Sequence, residues 1–252
     1  MNNKGFFDNF VNDMFTNDYM ASMEFLLRYN ISAIVYYCQD FKDSTKDENF
    51  KKDVTEFCEK IQKYSFPQLR MLEIYSAIKD AVQSDSDISA QNLDVFLPDF
   101  VKRVKSYIVG KCDIEYIAGT SCFVSTDLRY LEFILLMYTR KLVTDGAEKI
   151  EITFSVDSKN AIIDFSVKKI MPESRIYFED DLMNREVIIN HFDKLADLWA
   201  NKINAEIKFD GNDMKIKLPL DNGTVMHSKG KELKTEPVFN SYNIMLSDFL
   251  DF

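Results

Sequence analysis

Apolar residues recur at spacings of three and four through the first third of the chain. Met20, Met23, Leu27, Ile31, Ile34, Cys38 and Phe41 mark one face and predict a helix within residues 5–41. The stretch Phe6 to Phe15 is also apolar on one face and reads as a separate helix or as the start of this one. Residues 42–49 are polar and form a connection. A second stripe starts with Phe50, Val54, Phe57, Ile61 and Tyr64. It resumes after Pro67, in a new register, at Leu69, Leu72, Tyr75, Ile78 and Val82. A helix over 48–83 is predicted, kinked at Pro67, because proline removes a backbone donor and crowds the preceding turn. Two long helices with a short connection make an antiparallel hairpin. A lone hairpin cannot cover both stripes, whereas two copies pairing into a four-helix bundle can, so a symmetric homodimer is expected.

The polar residues 84–91 read as a linker, and beyond them the pattern changes. Residues 92–109 are predicted helical through Leu93, Phe96, Phe100, Val104 and Ile108. Asp113–Ile117 alternates as a short strand. A helix over 126–144 begins near the capping residues Ser125, Thr126 and Asp127. Strands Lys149–Val156 and Ala161–Lys168 are joined by the turn Asp157-Ser158-Lys159-Asn160. An irregular stretch over 169–183 precedes a helix over 184–202. Strands Ala205–Phe209 and Met214–Leu218 flank Asp210-Gly211-Asn212-Asp213, a hairpin signal. The order α-β-α-β-β-α-β-β implies one mixed sheet packed on helices. The division is therefore a helical hairpin over 1–83, a linker over 84–91, an α/β domain over 92–220 and an acidic, apolar tail over 221–252. The tail reads either as a docking peptide or as a terminal segment, folded back on its own domain or disordered.

Composition narrows the functions. The chain has 252 residues, of which 46% are hydrophobic and 29% charged, with a net charge of −10. An acidic surface disfavours nucleic acid and anionic membranes. No apolar run of membrane-spanning length occurs, and the N-terminus lacks the pattern of a signal peptide, so a cytoplasmic location is expected. Cys38, Cys58, Cys112 and Cys122 form no CxxC pair and read as reduced core residues; no metal site is expected.

The element order resembles the transmitter core of histidine kinases over about residues 20–220. That core is a dimerising hairpin followed by an α/β sandwich of the histidine kinase/gyrase/Hsp90 ATPase type, which makes the expected class α+β. Leu131-Glu132-Phe133-Ile134-Leu135-Leu136-Met137-Tyr138-Thr139-Arg140-Lys141-Leu142 is similar to the family's N-box helix. A second match runs from Ile189 to Leu220, where a helix and hairpin end in Leu218-Pro219-Leu220. The resemblance implies an asparagine, holding Mg²⁺ against the nucleotide, where this chain has Lys141; an ammonium cannot ligate Mg²⁺. It implies an Asp-x-Gly-x-Gly box where the sequence reads Ser166-Val167-Lys168-Lys169-Ile170-Met171-Pro172. It implies a glycine-rich lid where residues 173–186 hold no glycine and carry Glu179, Asp180 and Asp181. No nucleotide cofactor is therefore expected.

Within this group the chain resembles the dimeric histidine phosphotransferases more closely, which keep a degenerate kinase-like domain. Residues 69–82 are similar to the arginine-bearing end of their second helix. Aligning Phe25-Leu26-Leu27-Arg28-Tyr29-Asn30-Ile31-Ser32-Ala33-Ile34 on the phosphoacceptor motif puts Phe25 where the resemblance implies histidine, and phenylalanine has no nucleophile. His191 reads as a structural helix residue and His227 as solvent-exposed. The resemblance implies a receiver-docking surface at Arg28, Tyr29, Ser32, Leu69 and Arg70. The first functional expectation is a degenerate adaptor, binding response-regulator receiver domains in a phosphorelay without ATP or catalysis. The alternatives are an active phosphotransferase with an atypical acceptor, and a regulatory dimer outside phosphorelays that works through its tail.

Overall fold

The computed structural model describes residues 18–44, 48–83, 85–119, 121–171, 192, 195–221 and 240–249. The expected helix at Phe6–Phe15, the whole 173–186 lid stretch, His191 and His227 lie outside them. The chain divides into two compact units, Met1–Lys79 and Asp80–Phe252.

The first unit holds helix α1 (Asp18–Ser44) and most of helix α2 (Glu48–Gln83). The α2 range is the expected 48–83, whereas α1 runs three residues past the expected end at 41, and Phe41, Phe50, Phe57 and Val82 of the expected stripes are exposed. Ile31, Val35 and Cys38 point inward from α1, and Val54, Cys58, Phe66, Leu69 and Ile74 are buried on α2. Cys38, Val54 and Cys58 form a small core against which Ile61 packs. Pro67 lies inside α2 without ending it. The buried positions Phe66, Leu69, Arg70 and Ile74 keep helical spacing across the proline.

The second unit is α+β. Its elements are β1 (Ser89–Asn92), α3 (Leu93–Tyr107), β2 (Asp113–Ile117), β3 (Phe123–Thr126), α4 (Leu128–Thr144), β4 (Ala147–Val156) and β5 (Asn160–Ile170). A helix over residues 195–202 follows, here α5, then β6 (Glu206–Asp210), β7 (Asp213–Pro219), α6 (Ser241–Leu246) and a 3₁₀ turn, Ser247–Phe249. The five-stranded sheet runs β2-β4-β5-β7-β6. Among the described residues, only β2 and β4 pair in parallel, in the register Ile114–Ile150 and Tyr116–Ile152; the other pairs are antiparallel.

Alternation gives the sheet two unlike faces. Ile114, Ile150, Ile152, Phe154, Ile163, Phe165, Met214, Ile216 and Leu218 are buried. Phe133 of α4 meets Trp199 of α5 edge-on at 4.9 Å, and Tyr138 of α4 meets Phe165 of β5 at 5.9 Å, so these helices cover that face. The opposite face carries ion pairs between neighbouring strands: Lys149–Glu115 at 2.9 Å, Lys168–Glu151 at 3.2 Å and Lys215–Asp164 at 3.1 Å. Lys208 and Lys217 both face Glu206. This is the pattern of an antiparallel sheet solvated on one side.

Turn chemistry sets the connections. Asp157 Oδ1 accepts from the N–H groups of Lys159 and Asn160, closing the β4–β5 turn. Asn204, at φ +53°, stops α5 in the left-handed conformation that asparagine tolerates, while Ala205 N–H donates to Ala200 O at 3.0 Å. A Cβ on Gly119 would lie 1.9 Å from the Phe154 carbonyl oxygen, so only glycine fits beside β4 there.

One expectation needs correcting. The linker reading of 84–91 fails at its end, because Ser89, Ala90 and Gln91 pair with Thr126, Ser125 and Val124 in a β1–β3 ribbon. Its middle is fastened as well, by Asp87 N–H donating to Asp127 Oδ2 at 2.9 Å. Of the readings of the tail, its described part follows the one that folds back on its own domain. Residues 241–249 are helical and pack into the second unit, with Tyr242, Met245, Leu246 and Phe249 buried.

Candidate functional site

Two places deserve a chemical reading, one in each unit. The first is the hairpin surface around the expected acceptor position. Phe25 lies within α1, and its side chain is outside the described residues. Arg28 Nη1 donates to Glu73 Oε2 across the hairpin at 2.6 Å, with both side chains partly buried. The guanidinium charge is thus locally neutralised. Tyr29 is 65% exposed, and Ser32 is half-buried.

Leu69 and Arg70 depart from the expected docking surface. They are 0% and 3% exposed. The reason is register: with Phe66 and Ile74 they form the inward stripe of α2, so a patch of Arg28, Tyr29 and Ser32 extended by Leu69 and Arg70 does not exist as one exposed surface.

The exposed apolar residues lie elsewhere on the hairpin. Tyr36, Tyr37, Phe41, Phe50 and Phe57 are between 47% and 68% exposed. Phe41 and Phe50 meet edge-on at 6.3 Å. A groove of about 370 Å³ is lined by Tyr37, Cys38, Asp40, Phe41, Phe57 and Cys58. The Cys38 thiol is not poised for chemistry. Cys58 Sγ donates to Cys38 O at 3.3 Å, while burial and the neighbouring Cys58 push the Cys38 thiol up to about 11. Burial likewise pushes Cys112 up to about 12 and Cys122 to about 11. All four cysteines are free.

The second place is the end of α4, where the sequence put the degenerate N-box. Asp127 starts this helix, its side chain accepting from Arg129 N–H. Twelve side chains of α4 are buried, leaving it covered nearly all round. Lys141 sits in the last turn, where a cation complements the helix dipole. Its Nζ lies 3.3 Å from Asp145 Oδ2 and 5.8 Å from the Tyr138 ring centroid. Asp145 caps the helix, donating its N–H to Lys141 O at 2.9 Å.

The chain then turns at Gly146, φ +89°, into β4. Met171 N–H donates to Gly146 O at 3.0 Å and fixes the exit of β5 beside this turn. Lys168 and Lys169 at that exit pair with Glu151 and Glu148. The Met171–Gly146 bond ties the exit of β5 to the turn that follows α4. The donors there are ammonium groups already paired with carboxylates. Among the described residues, no group of three His, Cys, Asp or Glu side chains could hold a metal ion, and no helix is long and apolar enough to cross a membrane.

Sequence reasoning missed the C-terminal helix that packs beside α4. The signal was present: Tyr242, Met245, Leu246 and Phe249 fall at i, i+3, i+4 and i+7.

No family model matches the chain, and no curated protein matches it. Among solved structures, full-length ShkA in complex with AMPPNP is 10% identical with a TM-score of 0.56. It covers 79% of this chain and 45% of its own, so the chain spans less than half of ShkA. The histidine kinase AdeS of Acinetobacter baumannii is 16% identical with a TM-score of 0.45, over 75% of this chain and 94% of AdeS. The cytoplasmic segment of histidine kinase QseC is 12% identical with a TM-score of 0.38, over 61% and 93%. At such identities the likeness to ShkA establishes a shared fold and says nothing of chemistry.

Proposed function

We propose that this chain is a catalytically degenerate signalling protein of the histidine-kinase and histidine-phosphotransferase type, one that binds response-regulator receiver domains as a homodimer without using ATP. The observation that carries this reading is Lys141, held against Asp145 at the end of α4. ShkA shares the fold and was crystallised with AMPPNP. A fold of that kind with an ammonium where an oxygen donor would meet Mg²⁺ is a scaffold that has kept its shape and lost its ligand. The absence of aspartate and glycine from Ser166–Pro172 supports the same reading.

The proposed docking surface is redrawn around Arg28, Tyr29 and Ser32. Leu69 and Arg70, buried on α2, are left out of it. The exposed Tyr36, Tyr37, Phe41, Phe50 and Phe57 are what a second copy of the hairpin would cover.

The test has two arms. Mg-ATP at millimolar concentration is expected to leave the thermal midpoint unchanged, because a ligand bound only by the folded state must raise it. Titration with cognate receiver domains is expected to give saturable binding that Tyr29→Ala weakens. A raised midpoint with Mg-ATP defeats the nucleotide-free reading. Failure of every receiver to bind defeats the adaptor reading.

A further inference from the structure

The C-terminal segment packs on α3 and α4 of the second unit. Eighteen residues, 222–239, separate Asp221 from Asn240. Asn240 caps a helix of six residues, accepting from Asn243 N–H at 2.8 Å. A helix so short does not persist alone in water, so its order comes from the surface it occupies.

That surface is a groove between α3 and α4. The Tyr242 ring stacks on Tyr107 at 6.5 Å and packs on Phe100 at 6.0 Å, with the Arg103 guanidinium 5.5 Å from its centroid. Its hydroxyl donates to Glu132 Oε1 at 2.5 Å. Arg140 holds the other end twice, donating to Met245 O at 2.7 Å and lying 5.4 Å from the Phe249 ring. This is helix-in-groove recognition: aromatic anchors at both ends, aliphatic residues between them and polar groups fixing the register.

We propose that the α3–α4 groove is a peptide-binding site, and that Asn240–Phe249 is its tethered, displaceable ligand. The partner it fits in trans is a short amphipathic helix with tyrosine, two aliphatic residues and phenylalanine at i, i+3, i+4 and i+7. Because the resident segment belongs to the same chain, its effective concentration at the groove is on the order of millimolar. An outside peptide therefore competes with an internal one, and docking of the two is mutually exclusive. Arg140 adjoins Lys141, so exchange of the ligand also touches the helix turn discussed above. This inference stands whether or not the chain binds receiver domains.

The test uses the full chain and a fluorescently labelled synthetic peptide of residues 240–252, followed by anisotropy. The peptide is expected to bind the Tyr242→Ala chain at least tenfold more tightly than the unaltered chain, because the internal competitor is weakened. Adding Arg140→Ala to that variant, or Tyr242→Ala to the peptide, is expected to lower affinity at least tenfold. Absence of binding to a folded Tyr242→Ala chain overturns the proposal, as do equal affinities for the two chains or binding indifferent to Arg140→Ala. Phe249→Ala serves as the milder second variant. If both variants lose the cooperative fold, the segment is an inseparable part of the core and the proposal fails.

Discussion

At Asp127 one carboxylate serves three partners. It caps α4 through Arg129 N–H at 3.1 Å, pairs with the Arg129 guanidinium at 2.6 Å and accepts from Asp87 N–H at 2.9 Å. Burial alone would raise its pKa, but these hydrogen bonds and the Arg129 charge outweigh burial and hold the carboxyl below the usual carboxylate range. A depressed folded-state pKa stabilises the fold above the unfolded value, about 3.9, and that contribution is lost as pH falls through the folded value. Asp127→Ala is expected to cost about 1–2 kcal/mol at pH 7, the range of a lost N-cap. Urea unfolding checks this: the gap between variant and unaltered chain should narrow below about pH 4, and a gap that is constant with pH opposes the assignment. As a cap, Asp127 was legible from its place before an apolar run. Its bond to Asp87 was not, because no local pattern links residues forty apart. The place of Lys141 within a helix was legible from the apolar spacing of its neighbours. Leu69 belonged to the expected apolar stripe, whereas the burial of Arg70 was not legible, because a charged side chain carries no apolar signal.

Among the elements, the long helices and the sheet strands were readable because each repeats its period several times. The ribbon strands β1 and β3 were not. Each has four residues, and Ser89-Ala90-Gln91-Asn92 has no alternation to detect; pairing alone defines it. The proline in α2 lies inside one continuous helix, as the expected range over 48–83 has it. Packing on both sides of Pro67 carries the helix through it, at the cost of the hydrogen bond that residue 67 would donate. Pro67→Ala restores that donor and is expected to stabilise the hairpin by up to about 3 kcal/mol. A thermal melt followed by helical circular dichroism decides it, and a lowered midpoint would mean that the surrounding packing depends on the proline's shape.

For the whole molecule the issue is what covers the aromatic residues of the hairpin. Side chains such as Tyr37, Phe41 and Phe57 are too large and too close together to be incidental exposure. Light scattering is expected to give twice the chain mass of 29.4 kDa. The double variant Tyr37→Glu, Phe57→Glu is expected to return one chain mass while keeping its helical signal. A single chain mass for the unaltered protein would remove the dimer from the proposed function.

The charged face of the sheet bears on how anything reaches this protein through solution. Lys149, Lys168, Lys208, Lys215 and Lys217 interlock there with Glu115, Glu151, Asp164 and Glu206. With Asp113, Asp210 and Asp213, which the same alternation puts on that side, five positive and seven negative charges sum to −2, against −10 for the chain, so the remaining residues carry −8. That face exerts little pull beyond a Debye length of about 8 Å at physiological salt. A diffusing cationic body is instead drawn toward the other surfaces. The rate of such encounters falls as salt is added, while collisions with the sheet face stay indifferent to it.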